Sequence, residues 1–315
     1  MHVGIDLGGT KIATVACTSD ACNKIVRKTI KETQSQSGQD TVLSNIIDSV
    51  KELNISQIDA MGIGVPGIIK DNILIKAPNL KCCENADIAS ILQKTFNVPV
   101  FIENDANVAA LGELVFGVGE ERTDFLYITI STGIGGGLIL NGQLYKGYHN
   151  VAGEIGHTIV KTNGPICNCG QRGCLEALAS GTALTKRLHD LLKQRQIKTQ
   201  IKDLVNGNIK EITTKHIKIA ADNRDPLALK LIEETAYYIS LGIGNYIKTL
   251  DPGLIVFGGG LMNFGKIFLD HIDTYLQEEF SLDECHLPEL VISDLGQDSG
   301  VLGAAALAIK NNTLT

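Results

Sequence analysis

His157, Cys167, Cys169 and Cys174 stand ten, two and five positions apart within EIGHTIVKTNGPICNCGQRGCLE, residues 154–176. One imidazole and three thiols in so short a span, beside Gly170 and Gly173, match the donor set and spacing of a closed, tetrahedral structural zinc site. The plainer alternative is a group of unrelated buried thiols. Glu154 and Glu176 bracket the stretch. A four-ligand zinc site needs neither, so they are expected to face a polar ligand.

Three glycine-rich turns form the second chemical feature: Asp6-Leu-Gly8-Gly9-Thr10-Lys11, Ser131-Thr132-Gly133-Ile-Gly-Gly-Gly137, and Gly258-Gly259-Gly260. Each follows an apolar run. Backbone N–H groups of such turns bind phosphate without bulky side chains, and Thr10 and Thr132 add hydroxyl donors. An ordinary hairpin turn explains any one of them. As a set they favour a nucleotide. Asp105 is the third feature, a carboxylate beside Asn104 at the end of the apolar run VPVFIEN, placed to accept a proton as a general base. On residue type alone, capping the following helix is the better reading of Asp105.

Two fingerprints fail on context. Gly62-Ile-Gly-Val-Pro-Gly67 matches a dinucleotide glycine pattern, but Pro66 sits in the turn and IIKDNILI reads as strand where a helix is required. Gly260–Lys266 resembles a phosphate-binding loop, yet Ile267 stands where a Ser or Thr would hold Mg²⁺. Asn54-Ile-Ser56, a glycosylation match, is idle without secretion.

The elements that must position these groups alternate between strand and helix. HVGIDLGGTKIATVACT reads as a hairpin with a polar tip, and residues 40–53 carry apolar side chains at helical spacing. A buried strand over DAMGIGVPGII, a helix over ADIASILQKTF and the strand ending at Asn104 follow. Residues 106–116 turn helical, and GVGEER breaks the pattern, marking the first domain crossing. DFLYITISTGIGGGLIL repeats the opening theme, which hints at two domains of one fold. Beyond the cysteines, LEALASGTALTKRLHDLLKQ reads as one helix, 196–212 as irregular, and 226–250 as a long helix with Asp225 as cap. A strand LIVFGGG, a helix over 264–280, a strand in LPELVISDL and a closing helix complete the chain. The alternation means α/β.

At 315 residues the chain is long enough for two domains. A net charge of −7 without a dense basic run argues against nucleic acid or an anionic membrane surface as partner. No stretch approaches ~18 uninterrupted apolar residues, and MHVGIDLGGT begins as a strand, not as a signal segment. A cytoplasmic protein is expected. Cys17, Cys22, Cys82, Cys83 and Cys285 are scattered without a framework and read as free thiols.

Taken in order, DLGGTK, ENDAN, TGIGGG, E-x-G-H, C-x-C-G-x-x-G-C-x-E and VFGGG resemble the motifs of the ROK family of the sugar-kinase, hexokinase and actin superfamily. The resemblance covers essentially the whole chain. It implies a two-domain α/β protein of the actin-like ATPase (ribonuclease H-like) type with its site in the cleft between domains. The first domain would span 1–115, with a C-terminal helix at 298–311 returning to it, and the second 116–297, with the zinc segment 157–174. The implied activity is ATP-dependent phosphorylation of a hexose or N-acetylhexosamine, with ATP, Mg²⁺ and structural zinc as cofactors. Asp105 would be the base. Gly67, Asn79, Asn104, Glu154, His157 and Glu176 would contact the sugar, His157 using one ring nitrogen for zinc and the other for a hydroxyl. Asp6, Gly8, Gly9, Thr10, Lys11, Thr132 and Gly133 would hold phosphates and Mg²⁺, and Gly258 and Gly259 would lie near the adenosine.

IKAPNL looks like the corresponding loop of family glucokinases, which favours glucose. The Trp often found shortly after it is absent, and KCCEN stands in its place. Kinases for N-acetylmannosamine, N-acetylglucosamine, mannose, fructose and allose share nearly all these residues, so the sugar stays open. The family also contains sugar-responsive repressors with an added N-terminal DNA-binding segment. Here the strand that leads into the first phosphate turn begins at residue 2, and both turns and Asp105 are present, so a sugar sensor is the minor reading. A homodimer is expected from the resemblance.

Overall fold

The computed structural model describes residues 1–18, 25–194, 197–280 and 287–312, so the expected free thiols Cys22 and Cys285 lie outside the described residues. The chain order opens with β1 (His2–Leu7), β2 (Lys11–Cys17), β3 (Ile25–Glu32), α1 (Gln39–Glu52), β4 (Ala60–Val65), β5 (Ile68–Lys70) and β6 (Ile73–Lys76). Then come α2 (Ile88–Phe96), β7 (Val100–Asn104), α3 (Asp105–Phe116), β8 (Phe125–Ile130), β9 (Ile134–Leu140) and β10 (Gln143–Leu144). The remainder is α4 (Leu175–Ala179), α5 (Gly181–Gln194), α6 (Gln200–Asp203), α7 (Thr214–Asp222), α8 (Pro226–Leu250), β11 (Leu254–Gly258), α9 (Lys266–Phe280), β12 (Glu289–Ile292) and α10 (Ser299–Asn312).

Two five-stranded sheets carry the fold, with strand orders β3-β2-β1-β4-β7 and β10-β9-β8-β11-β12. Numbered within each sheet, both read 3-2-1-4-5. The short matching texts DLGGTKIATV and ISTGIGGGLIL therefore mark equivalent strands of one repeated topology. In the first sheet β1 pairs antiparallel with β2 and parallel with β4, and β4 pairs parallel with β7.

The chain divides into two compact units, residues 1–127, 136–153 and 293–315 in one and 128–135 with 154–292 in the other. The first unit thus takes in residues 116–127 and 136–153 in addition to the expected 1–115. Along β1 and β4 the side chains alternate. Val3, Ile5, Leu7, Met61, Ile63 and Val65 join the apolar face of α1 (Val42, Ile46, Val50) and of α2 (Ile88, Leu92) in one buried core. The intervening Gly4 and Gly62 face α10. A Cβ on Gly4 would lie 2.3 Å from the Val301 carbonyl oxygen, and one on Gly62 would lie 1.9 Å from that of Ala304. The helix can rest on the sheet only because those positions carry no side chain.

Three elements depart from expectation: β3 (Ile25–Glu32) has no counterpart in the sequence reading, α6 (Gln200–Asp203) falls within 196–212, expected to be irregular, and the helix expected at 175–194 is interrupted. The single helix read over 175–194 is two, because Ser180 is extended and buried; its Oγ accepts from the Ala183 N–H at 3.1 Å. The Gly181 N–H leaves the helical ladder to donate to the Ser131 carbonyl at 2.7 Å. A side-chain cap and a bond to the second glycine turn outweigh the continuous helical spacing. Among the described residues no helix is long and apolar enough to cross a membrane.

Candidate functional site

In the first unit, strand ends bring two carboxylates together. Asp6 is the last but one residue of β1, and Asp105 opens α3. Asp6 keeps some exposed surface, yet burial first, and then the neighbouring Asp105 carboxylate, push its carboxyl up to about 6, against the pull of Lys11. Two acids crowded in this way favour a cation between or beside them. Asn104, not Asp105, is the N-cap of α3: its Oδ1 accepts from Ala106 N at 2.9 Å and from Asn107 N at 3.3 Å, and its Nδ2 donates to Gly67 O at 3.1 Å. Asp105 Oδ1 also accepts from Ala106 N, at 2.9 Å.

Gly67 has φ +149°, and a Cβ there would lie 2.2 Å from Lys76 O, so the turn that presents its carbonyl to Asn104 admits only glycine. The turn Gly8–Lys11 closes through Gly8 N to Lys11 O at 3.0 Å. It is cradled from outside the motif: Thr33 Oγ1 donates to Gly8 O at 2.6 Å and Ser35 Oγ to Gly9 O at 2.9 Å. Asn79 backs onto Gly9 closely enough that a Cβ there would meet its carbonyl oxygen at 2.8 Å. Gly9, Thr10, Ser35, Gln36, Asn79 and Lys81 line a polar cavity of about 810 Å³. Thr10 and Lys11 are exposed.

Beneath Asn104 lies a group that sequence reading missed. Glu103 is buried, and its carboxylate accepts from Asn104 N at 2.8 Å and Asn107 Nδ2 at 3.1 Å, while Lys146 Nζ lies 3.2 Å from its other oxygen. Glu103 and Asn107 belong to the ENDAN text, but Lys146 is 43 positions from Glu103, and no spacing rule links them. Thr33 and Ser35 were missed for the same reason.

In the second unit the four candidate metal ligands come together. One ring nitrogen of His157 and the sulfurs of Cys167, Cys169 and Cys174 all lie within 4.8 Å of one another. Cys167 Sγ is 3.6 Å from His157 Nδ1, and Cys169 Sγ is 3.6 Å from Cys174 Sγ. A tetrahedron with Zn–S bonds of ~2.3 Å has edges of roughly 3.8 Å, so the donor set fits such an ion. Gly170 at φ +92° and Gly173 at φ +80° turn the chain so that the thiols converge. Burial, and then the neighbouring Cys169 and Cys167, push the Cys174 thiol up to about 12.

His157 Nδ1 faces the sulfurs, while Nε2 faces Glu154 Oε2 at 3.9 Å. Glu176 bridges the cluster and the second glycine turn: Oε2 accepts from Ile134 N at 3.0 Å, and Oε1 lies 3.9 Å from Cys167 Sγ. A Cβ on Gly133 would meet Glu176 Oε2 at 2.5 Å. That turn is shorter than the sequence suggests, since Gly135, Gly136 and Gly137 belong to β9 and only Ser131–Gly133 remain outside strands. The third turn joins it: a Cβ on Gly259, at φ +89°, would stand 2.4 Å from Ile130 O, and one on Gly260 would stand 3.7 Å from Ser131 Oγ. Gly258 ends β11.

A chain that builds the same five-stranded order twice, and ends the equivalent strands β1 and β8 in glycine-rich polar turns, is an α/β protein of the actin-like ATPase class. Within that class it belongs to the ROK family, whose profile matches residues 2–311. The glucokinase of Thermotoga maritima is 32% identical over 308 residues, covering 97% of this chain and 96% of that protein. The xylose repressor of Bacillus subtilis is 31% identical over 316 residues, covering 98% of this chain and 77% of the repressor. Among solved structures, a ROK family glucokinase from Streptomyces griseus in complex with glucose and AMPPNP matches with a TM-score of 0.81 at 31% identity, covering 98% of this chain and 99% of that one.

Proposed function

We propose that this protein is an ATP-dependent sugar kinase that transfers the γ-phosphoryl group of ATP to a hexose, with glucose and its C6 hydroxyl as the substrate. The observation that carries the reading is that Asn104 supplies the α3 cap, so the helix does not need Asp105 as its cap, while Asp105 sits beside Asp6 at the phosphate-turn strand end. Similarity over nearly the full chain to a glucokinase crystallised with glucose and an ATP analogue supports the same chemistry.

In this reading Asp105 takes the proton from the sugar hydroxyl as it attacks. Gly67, Asn79, Asn104, Glu154, His157 and Glu176 orient the sugar. The turns at Gly8, Gly9, Thr10 and Lys11 and at Thr132 and Gly133 hold the phosphates, and Gly258 and Gly259 lie by the adenosine. Asp6 would hold Mg²⁺, which supplies charge that offsets what develops on the transferred group. His157, Cys167, Cys169 and Cys174 would hold a structural zinc; it fixes the ring so that Nε2 is left to donate toward a hydroxyl. Homodimerisation belongs to the same reading and is checked by light scattering.

Sugar-dependent ADP release over glucose, mannose, fructose, allose, N-acetylglucosamine and N-acetylmannosamine tests it. Glucose is expected to give the highest kcat/KM. A higher value for another sugar removes the glucose assignment but leaves the kinase. The repressor relatives favour a second reading, sugar binding without turnover. Tight sugar binding with no ADP release on the whole panel would establish that one instead.

A further inference from the structure

Gly300 stands in the first turn of α10, and a Cβ there would lie 3.0 Å from Asp6 Oδ2, 3.2 Å from Asp6 Cγ and 3.6 Å from Asp6 Oδ1. Its three nearest atoms all belong to one carboxyl group. Three other glycines where α10 packs differ. A Cβ on Gly4, Gly62 or Gly303 would run into a backbone carbonyl oxygen at 2.3, 1.9 or 1.9 Å, so those positions are closed by packing alone. Gly300 does not lie in the left-handed region, and its neighbours leave room for a methyl everywhere except toward Asp6. Alanine would hold the helix better than glycine does. What the missing side chain serves is therefore the carboxylate.

We infer that Gly300 is a positioning residue: by presenting bare backbone to Asp6, it lets the carboxylate sit against the start of α10 in the orientation that receives the metal–phosphate group. The inference rests on the reading of Asp6 given above. An added methyl would displace the carboxyl by a few tenths of an ångström. That is small beside the fold but large beside the tolerance of a metal ligand.

The test compares Gly300→Ala, Asp6→Asn and the double variant by calorimetric binding of AMPPNP with and without Mg²⁺, together with melting temperature. Gly300→Ala is expected to weaken Mg·AMPPNP binding about three- to tenfold, a loss in keeping with sub-ångström misplacement. Binding of AMPPNP without Mg²⁺ should be unchanged and the melting temperature equal or higher. In the Asp6→Asn background the alanine should add nothing. Unchanged Mg·AMPPNP affinity in Gly300→Ala, while Asp6→Asn weakens it, overturns the inference alone. A lowered melting temperature, or an equal loss in the Asp6→Asn background, also overturns it. If Asp6→Asn itself leaves Mg·AMPPNP binding unchanged, the reading of Asp6 fails and this inference falls with it.

Discussion

Asp105 shows how a neighbour decides what a residue is available to do. Aspartate at a strand-to-helix junction usually serves as cap, and here Asn104 one position earlier bonds both Ala106 N and Asn107 N. Buried Glu103 in turn holds the Asn104 N–H, so the junction is fixed from below. Asp105→Asn is therefore expected to lower kcat by roughly 10²–10⁴, the usual worth of a general base, with little change in melting temperature. Near-normal turnover, or loss of turnover with a large drop in melting temperature, would return Asp105 to a structural role. Asp105 itself was legible in sequence as an acid ending an apolar run. That Asn104 and not Asp105 occupies the N-cap position was not, because Asn and Asp are near-equal caps and only the backbone dihedrals assign the position.

At the scale of elements, two devices carry predictions. The segment from His157 to Cys174 has little regular structure; backbone bonds such as Val160 N to Gly173 O at 3.0 Å and Cys167 N to Gln171 O at 2.8 Å hold it, and the four candidate donors of the proposed zinc site converge within it. Cys169→Ser is expected to lose one metal equivalent per chain, measured by elemental analysis, and to weaken sugar binding before nucleotide binding. Wild-type protein found fully active and free of zinc would remove the metal from the account. The second device is Glu113 on α3, fully buried, accepting from Val118 N at 3.3 Å and from the Ser293 hydroxyl. Burial is the main cause holding its carboxyl above the ordinary value of 4.5, with Asp294 adding repulsion. The folded protein thus binds that proton more tightly than the unfolded chain. Its contribution to stability is full below about pH 4.5 and is lost as pH rises through the folded value. Glu113→Gln, which can still accept from Ser293, should gain in melting temperature relative to wild type as pH is raised from 4 to 7. A difference independent of pH would show that the carboxyl titrates alike in both states.

At the scale of the molecule, the first unit is discontinuous in sequence, closing only when α10 returns from residues 299–312 to lie on β1, β4 and α3. Gly4, Gly62 and Gly112 are shaped to that helix and leave an open groove without it. A fragment of residues 1–153 is therefore expected to lack a cooperative thermal transition by circular dichroism, and a peptide of residues 293–315 added in trans should restore one. A cooperative melt for the fragment alone would mean that α10 is an accessory to the core. The glycines were legible in the sequence, but as turn formers. Their use as a helix seat was not, because a close approach between positions 191 to 297 residues apart (Gly112 to Gly303, Gly4 to Val301) leaves no local signal.

By itself the sequence determined the class of fold, the order of most of its elements though not β3 or α6, the zinc-type donor set and the glycine turns. Each of these rests on period, spacing or local residue type, which act over a few positions. Only the tertiary structure decided that Asn104 caps α3, that Ser180 splits the helix read over 175–194, and that Glu176 ties the cysteine cluster to the second glycine turn. It alone set Glu103 on Lys146 and Gly300 against Asp6. These contacts join residues distant along the chain, or choose between two locally equivalent acceptors. Chain topology and close packing make that choice, and no window of sequence contains it.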